Sequence, residues 1–351
     1  GAARAYCRAA PLFYGDHCDK RADGAVGPQA MIWRALLGRL GISVATLFVV
    51  SVLIFIGTNL LPGDVAQILL GQMATPESLA ALQAKLGMDE PGHVRYFMWL
   101  RDVATGDMGF SKAGLGAGNA TPIVQILEPR IFNTLQLTSM VAVIAIPIAL
   151  FLGLLAAMHP GTRLDRTVTF STLSLISVPD FFVATFLVLI FAVYLGWLPS
   201  IAYLRGDETG WGLIRALAMP TLTLIIVVSA QIIRMTRATV LNVMSSPYVE
   251  MAILKGVPRR RIILRHALLN AIGPIVNVIA LNLAWLVGGV VIVEQIFAYP
   301  GLAKLMIDAV LVRDLPLVQA CAMIFCASYV VLIFIADMAS ILSNPRLRHP
   351  K

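Results

Sequence analysis

Long apolar runs separated by short polar connections dominate this chain from residue 31 onward. A helix that crosses the roughly 30 Å hydrocarbon core of a bilayer needs about 20 mostly apolar residues. Six segments reach that scale: Gly41 to Leu61, Leu135 to Ala157, Leu173 to Gly196, Leu217 to Ile233, Ala271 to Val293 and Val318 to Leu342. The pattern predicts an all-α membrane protein with six transmembrane helices. The fourth is the shortest, trimmed by Pro220 at one end and by Arg234 and Arg237 at the other.

The connection between the first two spans, residues 62–134, is too polar to enter lipid and reads as a helical segment outside the bilayer. Thr75 and Pro76 form a cap and first-turn pair, Leu79, Leu82 and Leu86 share one helical face, and Gly87 suits a stop. A second amphipathic stretch holds Val94, Phe97, Met98 and Val103. A glycine-rich connection follows from Gly109 to Gly118, and Thr121 with Pro122 opens another short helix leading back to the membrane. Residues 1–30 are polar, lack the apolar core of a signal peptide and read as an upstream extension or disordered leader. Met31, with Arg34 and Arg39 behind it, is a natural start for the membrane domain, 31–351.

Composition agrees: 58% of residues are hydrophobic and only 13% charged, against about a quarter in soluble domains. The net charge of +8 sits in short connections between spans, where it orients the chain in a membrane and does not suit nucleic acid. Arg163 and Arg166, the group from Arg234 through Arg265, and Arg346, Arg348 and Lys351 lie on one side. The other side has Arg205, Arg215, Lys304 and Arg313. The bias places both termini and the connection 234–270 in the cytoplasm. Four cysteines and five scattered histidines show no metal-ligand spacing, and no catalytic constellation or nucleotide-binding glycine loop is present.

The connection 234–270 has too much local order for a linker. Ser246 and Pro247 predict a cap and first turn, Glu250 sits near the positive helix start and Lys255 near the negative end. Gly256 fits a left-handed stop, and Pro258 opens a second helix whose Ile262, Ile263, Ala267 and Leu268 alternate with Arg260, Arg261 and Arg265.

Glu250, Met251, Ala252 and Gly256 in this position resemble the EAA loop of ABC importer permeases, with Met251 where the nominal motif has Ala. The downstream RRRIILRHALLNAIGP is similar to the variant in dipeptide and oligopeptide permeases of the DppB/OppB type. LPGDVAQ, LGMDEPGHVRYFMWL, GDMGFS, SVPDFF, LGWLPS, EQIFAYPGL, RDLPLVQ and NPRLR support the same family in order and spacing across 31–351. The resemblance implies the type I ABC importer permease architecture in the bacterial inner membrane. It implies a second related permease (DppC/OppC-like), two ABC ATPase subunits that hold ATP and Mg, and a periplasmic or lipid-anchored substrate-binding protein, with no cofactor in this chain.

The resemblance makes residues 248 to 256, with Tyr248, Glu250, Met251, Ala252, Lys255 and Gly256, the element that couples to the ATPases, Glu250 anchoring its bend. Gln231, Asn277 and Asn282 are polar groups inside spans, able to line a substrate path or to bond between helices. Glu294 joins them as a path candidate, although it, Asp180 and Asp337 fall near span ends and suit structural roles. Gly288 and Gly289 suit close helix packing. Short peptides are the commonest family substrate; nickel chelates, glutathione, haem and oligosaccharides are alternatives. An ion-coupled secondary carrier would need internal repeats or a mid-membrane charge cluster, and neither is visible.

Overall fold

A computed structural model describes residues 28–60, 75–77, 90–111, 121–202, 210–263 and 268–343. The helices are α1 (Pro28–Asn59), α2 (Gly92–Thr105), α3 (Ile123–Met158), α4 (Arg163–Ser177) and α5 (Asp180–Leu187, continued as a π-helix over Val188–Tyr194). After these come α6 (Trp211–Met244), α7 (Pro247–Leu254), α8 (Arg259–Ile262), α9 (Leu268–Gly289), α10 (Val291–Ile296), α11 (Leu302–Leu311) and α12 (Leu315–Ser343). Among the described residues, five helical segments are long and apolar enough to cross a membrane, and the bent pair α4–α5 makes a sixth. The protein is an all-α, multi-pass membrane protein.

The helices α1, α3, α6 and α12 are longer than the apolar runs alone predict. α1 already begins at Pro28, inside the stretch read as a leader. The short helix expected after Thr121 and the second span are one helix, α3, which runs through Pro129 and Pro147. A proline inside a membrane helix is tolerated where neighbours satisfy the freed carbonyl. The fourth span also changes character: α6 includes Pro220, Arg234 and Arg237, and it is the most deeply packed of the spans. Arg237 is tolerated because it is paired, as described below.

The third span departs most from expectation. α4 and α5 meet at 101°, so the run read as one helix from Leu173 to Gly196 is an elbow at Val178 and Pro179. Proline disfavours helical geometry at the residue before it, and Val178 is extended, with φ −92° and ψ 128°.

α6 packs against α3 along most of its length and against α9 and α4 on other faces; α9 packs on α12, and α12 on α1. The α3–α6 crossing closes on Gly153: a Cβ there would lie 2.9 Å from both the Ile233 carbonyl oxygen and the Thr236 Cβ. Small residues permit such approach in lipid, where apolar association between helices supplies little drive. Gly288, the expected packing glycine, is exposed and meets nothing within 4 Å. α1 stands at the edge of the bundle. Arg39 pairs with Asp337 of α12 at 2.9 Å near one end, and Gln319 of α12 donates to Thr58 at 2.6 Å near the other.

Outside the spans, α2 lies over the Asn59 end of α1. Tyr96 is buried there, its hydroxyl 2.8 Å from Ser51 Oγ and its ring edge-on to Phe55. The expected apolar face therefore turns: Phe97 and Met98 are exposed, and Tyr96 makes the contact. The proposed helix over Leu79, Leu82 and Leu86, its Gly87 stop and most of the Gly109 to Gly118 connection lie outside the described residues, although Pro76 and Glu77 are helical.

Candidate functional site

α6 ends at Met244, and after Ser245 and Ser246 the chain turns into α7. Pro247 occupies the first helical position, where its missing N–H costs nothing. Ser246 does not cap as expected: its hydroxyl bonds back to the Val243 carbonyl, tying the turn to α6. The other end is a Schellman motif. Gly256 has φ +75°, its N–H donates to Ile253 O at 2.9 Å, and the Val257 N–H donates to Ala252 O at 3.2 Å. Such a stop fixes the direction of the chain after Lys255.

One face of α7 is rooted in the bundle through Val249, which is fully buried. The other face is apolar and open: Tyr248, Met251 and Leu254 are exposed, Leu254 by 81%, and Ile253 is exposed one turn beyond Val249. Glu250 and Lys255 are exposed and Ala252 is half-buried. The carboxylate of Glu250, expected to anchor the bend, makes no hydrogen bond or ion pair among the described residues, and hydrogen bonds of the backbone hold the bend instead.

Both flanks of this knob are fixed. Ile263, just past α8, packs with Val240, Ala157, Ala271 and Ile275. On α6, Arg237 forms a two-pronged pair with Asp165 at the start of α4, Nη2 donating to Oδ2 at 2.9 Å and Nε to Oδ1. Asp165 is almost fully buried and also accepts the Gly161 N–H at 2.9 Å. Planar guanidinium and carboxylate groups match in this geometry, which resists shear better than a single bond. The pair thus ties the start of α4 to the part of α6 that leads into α7.

The elbow between α4 and α5 opens a cleft of about 230 Å³ toward α6 and α9. Gln231 and Asn282 both line it, together with Asp180 and Trp285. Gln231 sits about 20 Å along α6 from Met244 at 1.5 Å per residue, well inside the span. Two expected residues are elsewhere. Asn277 is exposed on α9, outside the cleft lining. Glu294 is fully buried and outside the cleft lining.

Glu294 is a structural cap. Its carboxylate accepts the Lys304 N–H at 2.9 Å and the Thr134 hydroxyl at 3.0 Å, and so caps the start of α11 from a different helix. Thr134 in turn accepts the Leu302 N–H at 2.8 Å. Tyr299 donates to the Asn133 carbonyl at 2.7 Å, while Asn133 donates to the Pro300 carbonyl at 2.9 Å. Burial, and then the Glu294 charge, push the Tyr299 phenol above its ordinary value, which keeps it a donor. A similar cap opens α12, where Asp314 accepts the Leu317 N–H at 3.4 Å as well as the Ser111 hydroxyl. No group of three or more metal-ligating side chains occurs among the described residues.

A bundle of spans with a cleft that holds Asp180, Gln231 and Asn282, and a short apolar helix beyond one end, suits a membrane transport subunit. Residues 149–349 match the model of the binding-protein-dependent transport system inner membrane component, and residues 31–138 match its N-terminal companion. A probable peptide ABC transporter permease of Sinorhizobium fredii is 33% identical over 90% of this chain and 99% of its own. A putative peptide transport system permease of Brucella melitensis is 32% identical over 91% of this chain and 100% of its own. A glutathione transport system permease of Escherichia coli is 32% identical over 87% of this chain and 96% of its own. The chain belongs to the binding-protein-dependent ABC importer permeases of the peptide-permease type, a family of the bacterial inner membrane.

Proposed function

We propose that this chain forms half of the translocation pathway for short peptides and receives its drive through α7. The observation that carries the coupling role is the contrast on that helix between the buried Val249 and the exposed apolar face of Met251 and Leu254. Such a face on a short, doubly fixed helix suits a groove on a partner, where the anchors of a helix supply the affinity. The partner in this reading is an ABC ATPase that holds ATP and Mg; each of two ATPases engages one of two related permeases, and a binding protein delivers substrate on the far side. Both termini and α7 then face the cytoplasm.

ATP-driven closure does work only if it favours one arrangement of the spans over the other. The Arg237–Asp165 strut makes α7, α6 and α4 a unit that such closure can tilt, and the cleft at the α4–α5 elbow lies on that unit. Gln231 and Asn282 are path groups in this reading; Asn277 and Glu294 are not.

The peptide substrate rests on the relatives named for peptide transport. Glutathione, named for another relative, is itself a small peptide. The test is ATP-driven uptake by the complete transporter in liposomes, with Leu254→Asp and Met251→Asp on α7. Both variants are expected to leave the permease folded and to abolish uptake. Normal uptake in both would remove α7 as the coupling element, and uptake that follows an ion gradient without ATP would replace the reading with a secondary carrier.

A further inference from the structure

Four carboxylates set within or at the ends of the bundle have partners: Asp165 has Arg237, Asp337 has Arg39, Asp314 has Ser111, and Glu294 has Thr134 with the Lys304 N–H. Asp180 is different. It stands half-buried at the α4–α5 elbow, facing the cleft, and among the described residues no hydrogen bond or ion pair reaches its carboxylate. A carboxylate inside a membrane protein that lacks a partner is costly, and such groups mark ligand pathways more often than scaffolding. The start of α5 offsets part of the charge but leaves the carboxylate's outward acceptors open.

The rest of the cleft has matching chemistry. The Asn282 amide nitrogen donates to the Val278 carbonyl at 2.8 Å, which leaves its oxygen as the free acceptor. Trp285 adds an indole ring, whose face attracts cations. Among the described residues, no lysine or arginine lines the cleft. Its volume, about 230 Å³, is below that of a typical drug-sized pocket and suits one end of a substrate, not the whole.

We propose that this cleft binds a cationic amino group of the substrate, with Asp180 as counter-ion, Asn282 as a second acceptor and Trp285 beside it. This rests on the peptide-import reading, under which the group is the amino terminus of a short peptide. The binding protein then need not be the sole selector.

The test uses the complete transporter in liposomes, with its partner permease, ATPases and binding protein, and trialanine as probe. ATP-driven uptake, ATPase stimulation by the loaded binding protein and recovery of all subunits are measured for wild type, Asp180→Asn and Asp180→Glu. Asp180→Asn is expected to lower uptake about tenfold, the scale of one lost charge-assisted hydrogen bond, with subunit recovery and ATPase stimulation unchanged. Asp180→Glu, which keeps the charge, is expected to retain most of the uptake. Uptake by Asp180→Asn equal to wild type overturns the site. So does loss of the partner permease or of the folded complex in Asp180→Asn, because the carboxylate would then serve assembly. A wild-type complex that hydrolyses ATP but imports no trialanine fails the peptide reading itself and takes the site with it.

Discussion

Glu294 occupies the space that a side chain at position 301 would need. A Cβ added at Gly301 would overlap its carboxylate, and the carboxylate cannot withdraw without uncapping α11. The glycine of the sequence YPGL is thus required by a residue seven positions earlier, not by its own backbone, which has an ordinary negative φ of −95°.

Gly301→Ala is therefore expected to destabilise the permease by about 2–4 kcal/mol, the range for displacing a buried charged group from its hydrogen bonds. Glu294→Ala should cost a similar amount. The two should not add, because Glu294→Ala opens room for the new methyl group. Melting of the purified protein in detergent, run as a double-mutant cycle, reads this coupling directly.

The Asp165–Arg237 pair predicts a second cycle. Asp165→Ala leaves a partly buried guanidinium without its partner and is expected to cost about 1–3 kcal/mol. The exchange Asp165→Arg with Arg237→Asp should recover part of it. In the assembled transporter, the single variants should also lower transport per ATP hydrolysed, since the strut joins α6 to α4; the ratio of uptake to phosphate release checks this.

On α7 the two faces should separate cleanly. Leu254→Asp and Met251→Asp touch exposed positions, so stability should change by less than about 0.5 kcal/mol while ATPase subunits no longer co-purify. Val249→Asp buries a charge instead, and the permease itself should fail to accumulate. Co-purification and yield, measured side by side, distinguish the two.

Gly153→Val is expected to force α3 and α6 apart, at a cost of about 1–3 kcal/mol or more, since its first added carbon already meets the backbone of Ile233. Gly288→Val, in open space, should cost far less in the isolated permease. The difference in melting midpoint between these variants checks the assignment.

Much of the fold was legible because the bilayer imposes a simple rule of length and polarity, and α1, α9 and α12 follow it directly. The elbow at Val178 was less visible. Leu173 to Gly196 is apolar enough for a straight span, and Pro179 alone does not distinguish a kink from a right-angle turn. The helix over α7 and its glycine stop were readable because caps are local. The roles of Glu250, Glu294 and Asp180 were not, because each depends on what stands opposite the side chain.

The sequence by itself determined the order of the spans, the start and stop of α7, and the family. All of these follow from composition or from residues a few positions apart. Only the tertiary structure decided that Arg237 answers Asp165, that Glu294 caps α11 and excludes any side chain at position 301, and that Gln231 and Asn282 share a cleft with Asp180, whose carboxylate has no partner among the described residues. Partners separated by tens to hundreds of residues leave no local periodicity, and a polar residue in a span looks the same whether it is satisfied across the bundle or waiting for a ligand.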